Sequence, residues 1–390
     1  MKRGFLDVGI KSSPKTVPRM TLRTACNQPN HAKPKILMIL ECWEVGGTEK
    51  YVQSLCRYLQ KQGSAELYLY ILKGPQAGDI ENIQSVVRNV FYPQTCGLSR
   101  FCHLWNLIKS LDPDVCHTHL YSNYLMVSVI LRMANVPLLV STLHMPITAW
   151  NLRNRLMWKV AIKLSDKVIS NSNHVARSVG FDTARNDLII PPSIEVDDNY
   201  YKGQVLLPHS SFIVCGCGRL SKEKDWPTLL RAFAELSKKV DRPVKCQLIG
   251  IGSQEEELRG LVFELELDDH VEFLGRLEHS EVLGVMRKSD VFVLPSHFEG
   301  LGIVAIEAMQ CGVPTITANF EASKEYIEEG VTGFRFPSGD WKRLSELLLD
   351  IYLDPGHAQT IGARGRAFVR DLFSEANTVA KYQTVFFGGG

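Results

Sequence analysis

Two glutamates stand eight positions apart in an apolar, glycine-rich segment, SHFEGLGIVAIEAMQCGVPT at residues 296–315. The run before this segment, SDVFVLP, is short, β-branched and closed by a proline, as is typical of a buried strand. The run after Gly302 contains helix formers and ends at a glycine, which is a common helix stop. The segment therefore predicts a strand, a tight loop that carries Glu299, and a helix that carries Glu307.

The two carboxylates are placed to hold a nucleotide. Glu299 would lie at the carboxyl end of a strand, where open α/β sheets bind their ligands. The main-chain N–H groups at the start of the helix favour phosphate, and they belong to Gly300, Leu301 and Gly302. Glu307 lies between apolar residues, so its buried carboxylate needs hydrogen-bond donors, and ribose hydroxyls would supply them. The alternative is that Glu299 caps the helix and Glu307 lies on a half-exposed face.

Two cations occupy a similar position elsewhere in the chain. In the segment GRLSKEKDW, Arg219 and Lys224 follow the end of a predicted strand and precede a predicted helix. From such a position two cations can reach a diphosphate. The alternative is solvated surface charge.

Two histidines end predicted strands of the N-terminal half, His119 in DVCHTH and His144 in STLH. A single histidine at a strand end is more often structural than catalytic. Two histidines on adjacent strand ends favour a site at this edge of the sheet.

The elements that must position these residues alternate between strand and helix, which predicts parallel sheets covered by helices on both faces. The first unit is PKILMILECWEVGGTEKYVQSLCRYLQKQG, a strand, a Gly-Gly loop and an amphipathic helix. Further strand candidates are ELYLYIL, VVRNVFY, DVCHTHL, LLVSTLH, KVISNS and LII. Periodicity lapses at residues 191–204, where we predict the interdomain linker, and a second series of strands and helices follows. The chain is thus predicted to form two doubly wound, Rossmann-like domains that face each other across a cleft.

Composition fits a globular protein, with 390 residues, 45% of them hydrophobic and 22% charged. The net charge of +2 is uneven, because residues 1–35 contain eight Lys or Arg and one acidic residue. Residues 1–34 are expected to form a disordered basic arm; a later start at Met20 and a transit peptide are the alternatives. The ten scattered cysteines indicate a reducing cytoplasm, and the sequence predicts no metal site, no nucleic-acid partner and no membrane span.

A predicted helix at residues 149–164 combines aromatic and basic side chains, a mixture that suits a membrane interface. These side chains are Trp150, Arg153, Arg155, Trp158, Lys159 and Lys163. They favour contact with an anionic membrane surface or a polyprenyl-linked acceptor. Packing of the two tryptophans against the sheet is the alternative.

Taken together, the motifs resemble those of the retaining glycosyltransferases of family 4, which have the two-domain GT-B fold. The likeness covers about residues 35–386 and includes GGTE after the first strand, His119 in DVCHTH, SNS at 170–172 and GRLSKEKD. The pair of glutamates separated by seven residues is its most specific part. The closing segment resembles the last helix of the family, which returns to the first domain. The resemblance thus implies an N-terminal acceptor domain of residues 35–195 plus 373–390 and a C-terminal donor domain of residues 196–372.

The resemblance also implies roles for single residues. Arg219 and Lys224 would bind the donor diphosphate, and Glu299 would contact the transferred sugar. The amides of Gly300 to Gly302 would hold sugar and phosphate, and Glu307 would bind the ribose. Further implied site residues are Gly46 and Gly47 beside the diphosphate and acceptor, and His119, a catalytic residue near the reacting centre. His144, from its position at a strand end, is expected to lie at or near the acceptor.

The implied reaction moves a sugar from a UDP- or GDP-sugar to a glycan or lipid-linked acceptor of surface polysaccharide synthesis, with retention and without a metal or other cofactor. The expected location is the cytoplasm, or the inner face of the membrane as a peripheral protein. The segment FEASKE departs from the glycine pair of the family near the donor sugar, and PPSIEV departs from its usual Asn-Gly. The sequence leaves open the donor base, the sugar and the acceptor. A nucleotide-sugar epimerase and a catalytically silent sugar-nucleotide-binding scaffold are the alternative functions.

Overall fold

The computed structural model describes residues 33–43, 47–75, 79–94, 97–180, 187–194 and 211–388. Nearly all of the predicted basic arm, Gly46 and most of the predicted linker lie outside these ranges. Within them, the prediction of two parallel-sheet α/β domains is confirmed. Among the described helices, none combines the length and the apolar character that crossing a bilayer demands.

The N-terminal domain is built on a seven-stranded parallel sheet with strand order β3-β2-β1-β4-β5-β6-β7. Its strands are β1 (Lys35–Leu40), β2 (Glu66–Ile71), β3 (Asn89–Phe91), β4 (Val115–His119), β5 (Leu138–Leu143), β6 (Lys167–Ser170) and β7 (Leu188–Ile189). Its helices are α1 (Gly47–Gln62), α2 (Asp79–Val86), α3 (Ser99–Leu111), α4 (Tyr124–Met133), α5 (Leu152–Leu164) and α6 (Asn173–Val179). The sheet is apolar on both faces because helices cover both, and separate hydrophobic clusters form on its two sides.

The C-terminal domain has a six-stranded parallel sheet with strand order β10-β9-β8-β11-β12-β13. Its strands are β8 (Phe212–Cys217), β9 (Val244–Ile249), β10 (Val271–Gly275), β11 (Val291–Leu294), β12 (Thr315–Ala318) and β13 (Phe334–Phe336). The helices after β8 are α7 (Trp226–Ser237), α8 (Glu255–Glu264), α9 (His279–Arg287), α10 (Ile303–Gln310), α11 (Trp341–Leu353), α12 (Pro355–Leu372) and α13 (Glu375–Phe387).

The last helix, α13, packs on the N-terminal domain although it follows the C-terminal one. Tyr382, Val385 and Phe386 are buried in the core cluster on one side of the N-terminal sheet. The Tyr382 hydroxyl is hydrogen-bonded to the hydroxyl of Tyr51 on α1. The chain therefore crosses between the domains twice, which ties them together.

One strand prediction was too long. The run VVRNVFY at residues 86–92 forms a strand only at Asn89–Phe91, while Val86 ends helix α2. Val86 and Val87 are buried in the core from the helix end and the turn after it. Their apolar character indicates that they are buried. A short apolar run is compatible with a buried helix end as well as with a buried strand.

Each sheet has one switch point, where strand order reverses on either side of the first strand of the domain. In the N-terminal sheet it lies between β1 and β4, and in the C-terminal sheet between β8 and β11. Crevices at the carboxyl ends of such strand pairs are where open α/β sheets bind ligands. The loops that follow these four strands carry most of the residues singled out from the sequence.

Candidate active site

A cavity of about 450 Å³ lies between the two domains at these strand ends. The N-terminal domain contributes Gly47, Thr48, Lys50, Tyr121, His144, Met145 and Asn171 to its lining. The C-terminal domain contributes Cys217, Gly218, Arg219, Lys224, Ile249, Gly250, Ile251, Arg276, Leu277, His279, Val282 and the run from Glu299 to Val304. The volume is suited to a small organic ligand with a few fixed polar contacts.

The loop between β11 and α10 places Glu299 at the cavity wall. Glu299 Oε1 accepts a hydrogen bond from Ser296 Oγ at 2.8 Å and lies 2.5 Å from Lys224 Nζ. Gly302 has a φ of 82° at the start of α10, a left-handed conformation that favours glycine. The sequence prediction of a strand, a tight loop and a helix is confirmed here.

Close contact between the domains explains the first glycine of this loop. A Cβ atom on Gly300 would lie 1.8 Å from the carbonyl oxygen of His144 in the other domain. Ser172 Oγ donates a hydrogen bond to the Gly300 carbonyl at 2.9 Å. The loop is thereby held between the strand ends of both sheets.

Glu307 is the fifth residue of α10 and is only 2% exposed. Its Oε1 accepts from Lys50 Nζ at 2.8 Å and from His279 Nε2 at 3.0 Å. Burial alone would raise the pKa of this carboxyl, but Lys50 and His279 overcome that effect and hold the pKa below its usual value. The carboxylate thus stays ionised in an apolar setting because two donors reach it.

Arg219 and Lys224 are brought to the same cavity by the turn after β8. A 3₁₀ turn at Lys222–Lys224 ends at Asp225 with a φ of 51°, and Trp226 Nε1 donates to the Arg219 carbonyl at 2.9 Å. This bond holds the turn against the core, because Trp226 is fully buried. Two cations therefore project from a rigid turn beside the Glu299 loop.

The N-terminal domain faces these cations with the first turn of α1. Gly47, Thr48 and Lys50 line the cavity, and a Cβ atom on Gly47 would lie 2.9 Å from Ile303 Cδ1 of α10. Gly47 therefore makes a close approach to the opposite domain, and its predicted approach to the diphosphate and acceptor stays a prediction.

The histidines at the ends of β4 and β5 form a buried cluster. His119 Nδ1 and His144 Nε2 are 2.9 Å apart, and His117 Nε2 is hydrogen-bonded to Thr142 Oγ1 at 2.7 Å. Burial lowers the pKa of His117 and of His144 to about 3, and it lowers the pKa of His119 strongly. All three are therefore neutral at physiological pH.

Only one of the two predicted histidines reaches the cavity. His144 lines the wall, whereas His119 is fully buried behind it and contacts the wall residue through one ring nitrogen. The direct catalytic role expected of His119 stays a prediction. His119 is connected to the cavity through its contact with His144, which lines the wall.

Sequence reasoning missed a buried carboxylate at the end of β1. Glu41 accepts hydrogen bonds from the main-chain N–H groups of Tyr121 and Ser122 and pairs with Lys73. Burial opposes ionisation, yet the bonds from Ser122 and Lys73 prevail and lower the pKa of Glu41 to about 2. The hydrogen bonds to Glu41 fix the loop after β4. Tyr121 of this loop lines the cavity, and its hydroxyl is hydrogen-bonded to the hydroxyl of Thr48.

Lys50 and His279 were also missed. Both are single polar residues on amphipathic helices, and nothing in their local sequence distinguishes them from solvated surface side chains. The fold alone brings them to Glu307.

Comparison with known proteins finds a matching family for each half of the chain. The family described as "Glycosyl transferases group 1" matches residues 197–368, and "Glycosyltransferase Family 4" matches residues 45–186. The lipopolysaccharide core biosynthesis glycosyltransferase LpsD of Rhizobium meliloti is 27% identical over 88% of this chain and 96% of that protein.

Two further relatives match over a shorter stretch. The N-acetyl-alpha-D-glucosaminyl L-malate synthase of Bacillus anthracis is 29% identical over 49% of each chain. A GDP-mannose-dependent monoacylated alpha-(1-6)-phosphatidylinositol monomannoside mannosyltransferase of Corynebacterium glutamicum is 33% identical over 42% of this chain and 43% of that protein. The match thus spans about half the length of these two relatives or less.

Solved structures share the fold. Anabaena HepE, crystallised in complex with UDP and glucose, superposes with a TM-score of 0.77 at 21% identity, over 90% of this chain and 99% of that one. Sucrose-phosphate synthase from Thermosynechococcus elongatus superposes with a TM-score of 0.71 at 24% identity, over 90% and 98%. With one family profile on each of the two domains that enclose the cavity, this chain belongs to the group 1, family 4 glycosyltransferases and has their GT-B fold.

Proposed function

We propose that this enzyme transfers a sugar from a UDP- or GDP-sugar to a glycan or lipid-linked acceptor of surface polysaccharide synthesis, with retention of the anomeric configuration and without a metal ion. The observation that carries the proposal is the convergence of Arg219, Lys224 and the Glu299 loop on a cavity whose other wall holds His144 and Tyr121. Charged groups for a diphosphate and hydrogen-bonding groups for a sugar thus face one space.

The chemistry follows from the charges. In the transfer step the bond between the anomeric carbon and the phosphate oxygen breaks, and its electron pair remains on the nucleoside diphosphate. Arg219 and Lys224 would stabilise this developing charge, in the place that a divalent cation takes in other enzymes. Their fixed position on the turn after β8 means that little reorganisation is needed as the charge grows.

Retention can proceed through a covalent intermediate or by front-face attack, and the pairing of Glu299 favours the second route. A carboxylate nucleophile must be able to approach the anomeric carbon, whereas Glu299 Oε1 is bound by Lys224 and Ser296. In the alternative step, the acceptor hydroxyl attacks from the face that the phosphate leaves, and its proton passes to the departing phosphate oxygen. Glu299 would then orient the donor sugar through its carboxylate and need not form a covalent bond.

An exposed surface on the N-terminal domain supports a lipid-linked acceptor. Helices α4 and α5 contact each other, and together they expose Met126, Val129, Met133, Leu152, Leu156 and Val160. Arg153, Lys159 and Lys163 are exposed on the same helix as the last three of these. An apolar stripe flanked by cations fits the surface of an anionic bilayer. We therefore propose that this face of the N-terminal domain binds an anionic membrane surface.

The structure corrects the residues first assigned to this surface. Trp158 is buried and stacks on Tyr124 with ring centroids 4.2 Å apart, so it packs in the core. Arg155 donates to the carbonyls of Trp150 and Thr148 and holds the turn before α5. Trp150 is half-buried and precedes α5, so the exposed apolar residues of this helix are Leu152, Leu156 and Val160.

The decisive experiment incubates the purified protein with UDP-, GDP- and ADP-sugars, with and without lipid extract, and measures donor binding, nucleotide release and product anomer by NMR. Nucleotide release that depends on the lipid extract and persists in EDTA, with a product of unchanged anomeric configuration, is expected. Loss of activity in EDTA that Mg²⁺ restores would refute metal independence. Interconversion of the donor sugar without transfer would identify an epimerase, and saturable binding without turnover a scaffold.

Glu307→Gln tests the nucleoside end of the site. The substitution keeps the side-chain shape but removes the charge, so the affinity for the free nucleoside diphosphate is expected to fall about tenfold or more, because a charge-assisted hydrogen bond becomes a neutral one. Titration calorimetry measures the change. Equal affinity of the variant and the wild type would exclude Glu307 as the ribose ligand.

A further inference from the structure

An ion pair crosses from the N-terminal domain to the carboxylate proposed to bind ribose. Lys50 lies in the first turn of α1, and its Nζ is 2.8 Å from Oε1 of Glu307 on α10. His279 of α9 reaches the same oxygen at 3.0 Å. Glu307 is thus bound from both domains through one of its two oxygens.

The other oxygen of Glu307 offers no alternative site. Oε2 is shielded from solvent and has no hydrogen-bond partner among the described residues. Lys50 and His279 both line the cavity and both bind Oε1, so a hydroxyl that enters from the cavity is expected to meet Oε1 first. Each carboxylate oxygen accepts about two hydrogen bonds, and Oε1 already accepts two, so a ribose hydroxyl has to displace one of them.

Lys50 is the partner that belongs to the opposite domain, whereas His279 belongs to the same domain as Glu307. The Lys50 ammonium lines the same cavity as Arg219 and Lys224, so after release it would remain beside the proposed diphosphate. The surroundings of the Cys217 thiol support this arrangement. Cys217 is the last residue of β8, and it lines the same cavity as Lys50 and Lys224.

We propose that Lys50 and the ribose of the donor compete for Glu307, so that the enzyme must open its own cross-domain ion pair before it holds the nucleotide. This inference rests on the proposed function, since it takes Glu307 as the ribose ligand. Lys50 then sets the donor affinity, and it couples nucleotide binding to the contact between α1 and α10. A ligand that can bind only after such a change has an apparent affinity reduced by the fraction of protein in the competent state.

Nucleosides without phosphate isolate this competition, because their binding gains nothing from a cation in the cavity. Titration of wild type and Lys50→Met with uridine, guanosine and adenosine is expected to show about tenfold tighter nucleoside binding in the variant. With the corresponding diphosphates the gain is expected to be smaller, since the same substitution removes a cation. Lys61→Met, on the exposed last turn of the same helix, is the matched control and should bind as the wild type does.

Nucleoside binding by Lys50→Met that is no tighter than in the wild type would overturn the inference while leaving the proposed function intact if the diphosphates still bind. Failure of the wild type and both variants to bind any diphosphate would instead refute the proposed function, and the inference with it.

A ligand-free measurement tests the ion pair by itself. Thermal unfolding of Lys50→Met, Glu307→Gln and the double variant should be non-additive, because both single changes break the same contact. Additive shifts in Tm would mean that the pair does not form in solution, and this would overturn the inference irrespective of any nucleotide.

Discussion

Lys224 is the residue on which the proposed leaving-group chemistry depends most directly. Its ammonium lies 2.5 Å from Glu299 Oε1 on a turn fixed by the buried Trp226. If this charge offsets the charge that accumulates on the diphosphate, its effect must be larger in the transition state than in the bound donor.

Lys224→Met is therefore expected to lower kcat by a factor of about 10² to 10³, with a smaller loss of donor affinity. Lys222→Met provides the control, since this lysine is exposed on the same 3₁₀ turn. Steady-state kinetics at saturating donor separate kcat from KM. A variant at position 224 that turns over normally would remove this cation from the mechanism.

The need for donors around Glu307 could be predicted from the residue type alone, because a buried carboxylate is costly without them. The donors themselves could not. Lys50 is 257 positions away in the chain, and only the closure of two domains brings it to α10. The sequence therefore predicted the carboxylate and assigned ribose hydroxyls as its hydrogen-bond donors. In the structure the donors are Lys50 and His279.

At the scale of elements, the Glu299 loop acts as a spacer between the domains. The close approach of Gly300 to the His144 carbonyl leaves no room for a side chain. This contact lies beside the proposed sugar site, so the loop determines how near the two walls of the cavity can come.

Gly300→Ala is expected to separate these walls, because its Cβ would meet main-chain atoms that cannot rotate away. Overpacking of this kind typically costs about 1 to 3 kcal/mol, so Tm should fall and transfer activity should be largely lost. Gly284→Ala, on α9 with open space around the added methyl group, is the control. Retention of wild-type Tm and activity by Gly300→Ala would show that the contact does not exist in solution.

The exposed faces of α4 and α5 give a second prediction at this scale. Leu156 is 65% exposed between two further exposed apolar residues of α5, so Leu156→Glu should abolish flotation with anionic vesicles by placing a negative charge on the proposed membrane surface. Leu353→Glu changes a similarly exposed leucine of the C-terminal domain and should leave flotation unchanged. Equal flotation of the wild type with neutral and anionic vesicles would refute the electrostatic part of the proposal.

The helix itself could be predicted from sequence, but its orientation could not. Periodicity located α5 within the predicted residues 149–164, yet the identity of the exposed side chains depends on the neighbouring helix. Trp158 is buried because Tyr124 of α4 stacks on it, a contact that no local pattern records. Local chemistry predicts an element, and packing decides which of its faces meets solvent.

At the scale of the whole molecule, alternating strand and helix patterns were sufficient to predict two parallel-sheet domains, because such patterns permit few topologies. The closure of the domains depends on side chains that meet only in the folded molecule. Glu325, for example, accepts hydrogen bonds from the main-chain N–H groups of Asn173 and His174 at the start of α6 in the other domain. This glutamate lies in FEASKE, the segment that departs from the family pattern.

The N-terminal domain holds a cluster of neutral histidines that should make the molecule sensitive to acid. His117, His119 and His144 are buried, and the hydroxyls of Tyr51 and Tyr382 beside them also stay protonated because burial raises their pKa. The folded pKa of His117 and of His144 is about 3, well below the unfolded value. Protons therefore bind the unfolded chain first.

The free energy of unfolding is therefore unaffected by these histidines above about pH 6.5 and falls as the pH drops from about 6.5 towards 3. The loss is up to about 1.4 kcal/mol per pH unit for each histidine. At pH 5 this amounts to about 2 kcal/mol for each of His117 and His144, so together they remove a large part of a typical stability of about 5 to 15 kcal/mol. Glu41, with its pKa lowered to about 2, adds a loss of the same sign only below about pH 4.5.

We expect the N-terminal domain to open before the C-terminal one on acidification. Hydrogen exchange at pH 7, 6 and 5, corrected for intrinsic rates, should show protection in β4 and β5 falling faster than in β8 and β9. His117→Gln cannot take up a proton but can still hydrogen-bond Thr142, so it should reduce the dependence of β4 protection on pH by close to one proton. If the two sheets lose protection in parallel, or if His117→Gln has the slope of the wild type, then the buried histidines do not control the acid sensitivity of the fold.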